Sequence, residues 1–323
     1  MLKESKSFVL AKQQGIWGWL IFIVLFAAFP FFATSEYQVK LANKIMTFSL
    51  FAISFNLLYG YTGMLSFGQA AFYGLGGYAA GMLMTKTTGC PFPLALAAGM
   101  VLGGLGALVL GPLCIRMTGV FFTMLTLAFA ELLWGVVFKW YGFTGGDNGI
   151  QGIPLNSILE NPRYYYYFTL VIVSLALYFC LRLVRSPFGL ILKTIHENPI
   201  RTEFIGLKIK RYQLAIFVIS GLLSGLAGAL FAGEQRSIHP DMLHWPMSGE
   251  VILMAILGGF STFWGPSVGA GIILFIQDII GAKTEYWEIC IGVVMLAIAI
   301  LLPRGVVGTF QGMGFRSKKK ETE

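Results

Sequence analysis

Charge is what this sequence has least of. Asp, Glu, Lys and Arg make up 12% of its 323 residues, against about a quarter in a soluble domain, while 56% are hydrophobic. That balance excludes a water-soluble globular chain and defines an integral membrane protein. No Gly-Lys dipeptide occurs, so the chain has no P-loop and does not bind ATP in that way. Any ATP-driven role needs another subunit. The four cysteines, Cys90, Cys114, Cys180 and Cys290, are widely spaced with no Cys-x-x-Cys pair, which reads as small packing residues rather than metal ligands or disulfides. The three histidines, His196, His239 and His244, fall between the apolar segments. No serine–histidine pair is thereby placed inside the membrane, which argues against an intramembrane serine protease. No Ser-rich or Pro-rich linker divides residues 1–323, so a single membrane domain is expected.

A transmembrane helix needs about 20 mostly apolar residues. Candidates lie at roughly 16–33, 41–59, 64–85, 92–114, 118–138, 164–184, 213–233, 247–262, 266–281 and 286–302. Several are short or glycine-rich, so the expected fold is an all-α polytopic bundle of eight to ten segments with glycine-broken helices. The first segment is longer than a signal-peptide core and lacks a small-x-small cleavage site. It is read as a retained helix.

Ten crossings put both termini on one side, and that side should carry the excess of Lys and Arg. One side receives Lys3, Lys6, Lys12, Arg116, Arg182, Arg185, Lys193, Arg201, Lys208, Lys210, Arg211, Arg304, Arg316, Lys318, Lys319 and Lys320; the other receives Lys40, Lys44, Lys86, Lys139, Arg163, Arg236 and Lys283. Sixteen against seven makes the first side cytoplasmic. The net charge of +8 belongs mainly to the two ends, including a basic tail at about 303–323, and to one loop beside anionic lipid. It needs no nucleic acid. Tyr164 to Tyr167, Trp140 and Trp287 fall near segment ends, where amphipathic rings favour the interface.

Small residues recur every fourth position at Gly99, Gly103, Ala107 and Gly111, at Gly221 and Gly225, and at Ser224 and Gly228. Such rows let helix backbones approach closely. The run from Asn56 to Tyr78 is different, because it mixes glycines with Asn56, Thr62, Ser66, Gln69 and Tyr73. A distorted helix is expected there, and broken backbone is tolerated only against protein or a water-filled path. Asn56, Ser66, Gln69 and Tyr73 either line that path or join helices by hydrogen bonds. A second glycine-rich stretch, Gly258 to Gly269, interrupts the later apolar region similarly. Glu131 lies inside its segment, where a carboxylate should face a cavity or a partner or be protonated; it is a further candidate for the path. Asp278 is expected at an interface.

The stretch from Arg185 to Tyr212 is the one long, strongly basic polar loop, and it looks like a cytoplasmic platform on which another protein acts. With these pieces in hand the chain shows an ordered resemblance. Asn56 to Gly81, Thr144 to Gly149 running on to Gly152-Ile-Pro154, Ser186-Pro-Phe-Gly189 through Glu197-Asn-Pro199 to Glu203-Phe-Ile-Gly206, Ser248-Gly-Glu250 to Gly259, Trp264-Gly-Pro266 and Leu302-Pro-Arg-Gly305 together resemble the LivM-type permease subunit of branched-chain amino-acid ABC importers. The resemblance runs from about Asn43 to Gly308.

It implies a second permease subunit of similar fold, two cytoplasmic ATPase subunits that bind the ATP, an extracytoplasmic substrate-binding protein, and a place in the bacterial cytoplasmic (inner) membrane. This chain would hold no cofactor and would not itself be an enzyme. The resemblance also implies that the loop around His196, Glu197, Asn198, Arg201, Glu203 and Gly206 couples to an ATPase. A short helix is expected there, anchored by Phe204 and Ile205. Related permeases carry urea or short amides, and an ATP-independent channel or secondary carrier is the contrasting mechanism; transport that survives loss of ATP would favour it.

The topology is checked by an impermeant thiol reagent on intact cells, with Arg201→Cys in a background cleared of the native cysteines. The expected outcome is no labelling from outside, and strong labelling would reverse the orientation.

Overall fold

The computed structural model describes residues 2–33, 35–87, 90–156, 158–281, 283, 289, 292, 293, 296 and 305–309, with side chains from Trp17 onward. The side chains of Lys3, Lys6 and Lys12, the residues Trp287 and Cys290, most of the expected segment 286–302 and most of the tail 303–323 lie outside the described residues.

The helices run α1 (Leu2–Phe32), α2 (Glu36–Thr62), α3 (Gln69–Lys86), α4 (Phe92–Cys114), α5 (Val120–Lys139), α6 (Tyr141–Thr144), α7 (Pro162–Arg185), α8 (Pro187–Glu197), α9 (Pro199–Phe204), α10 (Ile209–Gln235), α11 (Trp245–Gly258) and α12 (Gly265–Gly281). Five of them, α2, α4, α5, α7 and α10, are long and apolar enough to cross a membrane. The first nine expected segments each find a helix. A two-residue antiparallel ladder, β1 (Ile150–Gln151) against β2 (Ser237–Ile238), ties the α6–α7 connection to the end of α10.

The central post is α2. Met46, Leu50, Phe51, Ala52, Phe55, Leu57 and Leu58 are wholly buried, the pattern of a helix that is apolar all round and packed on every side. Ser35 caps its start by accepting from the Gln38 amide at 3.4 Å. Its end is set by Gly63, whose φ of 72° lies in the left-handed region that glycine adopts without a Cβ penalty.

Around this post α3, α4 and α10 meet backbone to backbone. A Cβ added to Gly99 would stand 2.6 Å from the Gly76 carbonyl, and one added to Gly103 would stand 2.6 Å from the Gly221 carbonyl. Gly225 and Gly228 press on α4 and α3 in the same way. The small-residue rows are thus the contact faces of three helices. With no hydrophobic drive in lipid, such close approach is what van der Waals packing needs.

Two sequence expectations are refined by the packing. Of the rings near the start of α7, Tyr165 and Tyr166 turn inward and are buried, their hydroxyls donating to the carbonyls of Leu230 and Phe26; Tyr164 and Trp140 stay exposed. The stretch 185–212 is not a simple loop. Its first half is α8, which buries Gly189, Leu192 and Ile195 along one face, the three-residue spacing of an amphipathic helix.

Gly103→Leu is expected to destabilise the purified protein by at least the roughly 1–3 kcal/mol of an overpacked site, because its neighbours are backbone atoms that cannot give way. Gly135, with nothing within 4 Å of an added Cβ, is the control. Equal melting temperatures for Gly103→Leu and Gly135→Leu would contradict the packing.

Candidate functional site

The break between α2 and α3 spans residues 63–68. Non-helical backbone inside an apolar bundle has polar groups that must be met by protein, and here side-chain hydroxyls meet them. Thr123 Oγ1 on α5 donates to the Leu65 carbonyl at 2.9 Å, and the Phe67 amide donates to Thr126 Oγ1 at 3.2 Å. Ser248 Oγ on α11 does double duty: it donates to the Phe67 carbonyl at 2.6 Å and accepts from the Ala70 amide at 2.9 Å. Ser66 turns inward and accepts from the Gly68 amide at 3.1 Å. Thr123 and Thr126 carry no signal in the sequence, where each is a single hydroxyl in an apolar run, and Ser248 stands out there only as part of Ser248-Gly-Glu250.

Gln69, the first residue of α3, is buried, and its Oε1 accepts from Ser224 at 2.8 Å and from Ser220 at 3.2 Å. Ser54 on α2 joins the same cluster, 2.8 Å from the Ser224 hydroxyl. So Gln69 does join helices. Its Nε2, however, has no hydrogen-bond partner among the described residues, nor do the Tyr73 hydroxyl and the Asn56 Oδ1. Tyr73 lies flat on Phe51, ring centroids 4.4 Å apart. Asn56 Nδ2 donates to the Thr262 carbonyl at 3.2 Å, in the connection between α11 and α12. The second glycine-rich stretch is that connection: a tight turn in which Gly258, Gly265 and Gly269 let the two helix ends touch.

Glu131 has found its partner. Its Oε1 lies 2.9 Å from His244 Nδ1 and accepts from the Trp245 amide at 3.0 Å. Trp134, one turn along α5, stacks on the His244 ring at 4.8 Å. The 14 residues of α11 span only about 21 Å at 1.5 Å per residue, less than the roughly 30 Å of a hydrocarbon core. Its first turn therefore sits where a positive helix end and a carboxylate stabilise each other. His244, expected in a loop, is part of this arrangement. Asp278 accepts from the Tyr37 hydroxyl.

On the basic stretch, Asn198 caps α9 by accepting from the Arg201 amide at 3.0 Å, and Thr202 is the residue that α9 buries. Phe204 and Ile205 are 86% and 71% exposed, so they do not anchor the helix within this chain; they project from it. His196, Glu197, Arg201 and Glu203 are exposed as well, and Gly206 holds a φ of 83°. The end of α8 reaches the break directly. A Cβ on Gly63 would lie 3.2 Å from His196 Nδ1, and Lys193 Nζ stands over the Tyr61 ring at 5.7 Å.

A bundle of apolar helices, one of them broken and held by hydroxyls at depth, has the build of a multi-pass membrane permease. Residues 37–299 match the family described as branched-chain amino acid transport system / permease component, and the chain belongs to that family. It is similar to the high-affinity branched-chain amino acid transport system permease protein LivM of Escherichia coli, with 26% identity over 88% of this chain and 73% of the relative. The probable branched-chain amino acid transport permease protein LivH of Methanocaldococcus jannaschii is 25% identical over 80% of this chain and 88% of the relative. The ribose import permease protein RbsC of Bacillus subtilis matches less of it, at 28% identity over 51% of this chain and 50% of the relative. No solved structure matches the chain.

Removing the Ser248 hydroxyl leaves a buried amide and a buried carbonyl short of a partner. Ser248→Ala is expected to cost about 1–3 kcal/mol, read as a lower melting temperature of the purified protein, while Ser248→Thr keeps most of the stability. No loss in Ser248→Ala would mean the break does not lean on this hydroxyl.

Proposed function

We propose that this chain is the membrane-spanning subunit of an ATP-driven importer for branched-chain amino acids, working with a second permease of similar fold, two cytoplasmic ATPase subunits and an extracytoplasmic binding protein. Hydrolysis belongs to the ATPase subunits, since this sequence has no P-loop. The membrane is the bacterial inner membrane, with both termini and α8–α9 in the cytoplasm, a reading that rests on the sixteen-to-seven bias of basic residues.

The observation that carries the proposal is the outward display on α9. Phe204 and Ile205 stand exposed among Arg201, Glu203 and Lys208, an apolar tip with a charged surround that fits the anatomy of a protein interface. Behind it α8 rests on Gly63 and Tyr61, so a push on α9 reaches the broken segment through one packed helix. His196, Glu197, Asn198, Arg201, Glu203 and Gly206 are assigned to this coupling element.

The path for substrate is assigned to the broken segment, along Asn56, Ser66, Gln69 and Tyr73, with Glu131 at the neighbouring end of α11. A zwitterion leaving water needs polar groups to replace it, and the unpartnered Asn56 Oδ1, Gln69 Nε2 and Tyr73 hydroxyl are the atoms available. In the reconstituted complex Gln69→Leu should lower uptake of leucine while leaving capture by the binding protein unchanged. Full-rate uptake by a stably assembled Gln69→Leu complex would return the segment to helix packing alone.

The coupling role is tested with Glu203→Lys and Gly206→Trp. Each should leave the chain inserted yet abolish the stimulation of ATP hydrolysis by loaded binding protein. Unchanged stimulation with both would remove α9 from the coupling path, and leucine uptake that proceeds without ATP would replace the importer with a carrier.

A further inference from the structure

The opposite end of the bundle from α8–α9 holds a cavity that the proposed path does not use. It has a volume of about 320 Å³ and lies between the start of α2, the segment before α7, and the end of α10. That size falls in the range of small-molecule sites. Its lining is partly apolar, from Val39, Leu155 and Leu159, and partly polar, from Lys40, Asn43 and Glu234.

The polar part of the lining is incomplete as it stands. Asn43 is only 2% exposed, and its amide lies within interacting reach of the Glu234 carboxylate without making a well-formed hydrogen bond to it or to any other described residue; one buried oxygen of Glu234 is left in the same position. Buried polar groups are normally satisfied, and an unsatisfied cluster calls for a ligand, a water or an ion. Among the described residues the ion pairs are Arg236–Glu160 and Glu131–His244, so Lys40 and Glu234 face the cavity without pairing to each other.

The rim is also built. Arg236 ends α10 with a φ of 52°, the one non-glycine residue with positive φ among those described, a backbone that costs energy unless the surroundings hold it. That turn directs its side chain across the cavity mouth to Glu160, with 3.9 Å between the charged groups. A second polar cavity of about 370 Å³ shares Lys40, Glu234 and Gln235 with the first and adds Lys44 and Asp278, so the site opens onto further polar space.

We propose that this cavity is a binding site, within the permease chain itself, for a free α-amino acid with a short branched side chain. The α-carboxylate pairs with Lys40, the α-ammonium with Glu234, the Asn43 amide serves whichever group lies beside it, and the side chain rests on Val39, Leu155 and Leu159. The inference rests on the proposed substrate class and on the orientation that puts this end outside, where substrate arrives.

The test uses the assembled complex in lipid nanodiscs without its binding protein, with tritiated leucine as the probe. Saturable binding is expected, displaced by valine or isoleucine but not by N-acetylleucine or leucinamide, each of which lacks one of the two charges. Glu234→Gln and Asn43→Ala should weaken binding about tenfold or more, the worth of a lost charge-assisted contact. Lys40→Gln, on an exposed position that packs nothing, guards against a folding defect and should weaken it severalfold. Binding that both blocked analogues displace, or that the three variants leave unchanged, overturns the site; so does the absence of saturable leucine binding in a complex that imports leucine once binding protein and ATP are added. A complex that imports no branched-chain amino acid under those conditions fails the functional reading instead, which the same preparation distinguishes.

Discussion

Backbone that leaves the helix at membrane depth finds no water to bond with, and each unpaired group costs several kcal/mol. In this chain residues 63–68 meet that constraint with hydroxyls brought from two other helices: Thr123 and Thr126 on α5, and Ser248 on α11. The break therefore fixes where α5 and α11 can sit. It also bears on where α11 starts. To bring Ser248 to Phe67 and Ala70, the chain re-enters before Trp245, and the exposed first turn of that short helix is then met by Glu131 and His244. The carboxylate at depth, the short helix and the broken segment are three consequences of one arrangement.

The same break joins the α8 end of the molecule to the middle of the bundle, where Gln69 meets Ser54, Ser220 and Ser224. Towards the basic side it ends at Gly63, beside His196 of α8; towards the other it opens on Gln69, which the serines of α10 hold. One partner in each contact lacks bulk or carries a single hydroxyl: Gly63 against His196, and Ser220 and Ser224 against Gln69. Packed elements of this kind have discrete arrangements rather than continuous play, so under the proposed coupling a displacement of α8 would be felt first at Gly63. The glycine faces of α3, α4 and α10 are the fixed frame against which such a shift would be made.

Much of this was written plainly in the sequence. Apolar length placed nine helices, and the rows at Gly99–Gly103 and Gly221–Gly225 marked faces that do touch, because close backbone approach has few other solutions. The glycines among polar residues after Asn56 located the break. What escaped were the partners of the break. Thr123 and Thr126 look like ordinary members of an apolar stretch and Ser248 like part of its glycine-rich neighbourhood, and only the fold brings them to the break from 58 to 181 positions away. His244 was passed over as a loop residue because its value depends on Glu131, more than a hundred residues distant. The inner half of 185–212 was legible and misjudged: Gly189, Leu192 and Ile195 carry helical spacing that its charge obscured. Phe204 and Ile205 read in the sequence as anchors of a short helix, and the structure turns them outward.

Whether hydroxyls hold residues 63–68 in place is reported directly by amide hydrogen exchange, since exchange follows local opening. The measurement is exchange of the purified protein in nanodiscs, read on the peptide covering 63–70 beside peptides of α2 and α3. The structure predicts exchange nearly as slow as in the flanking helices, with selective acceleration of that peptide in Ser248→Ala. Rapid, loop-like exchange at 63–70 in the unaltered protein would contradict it.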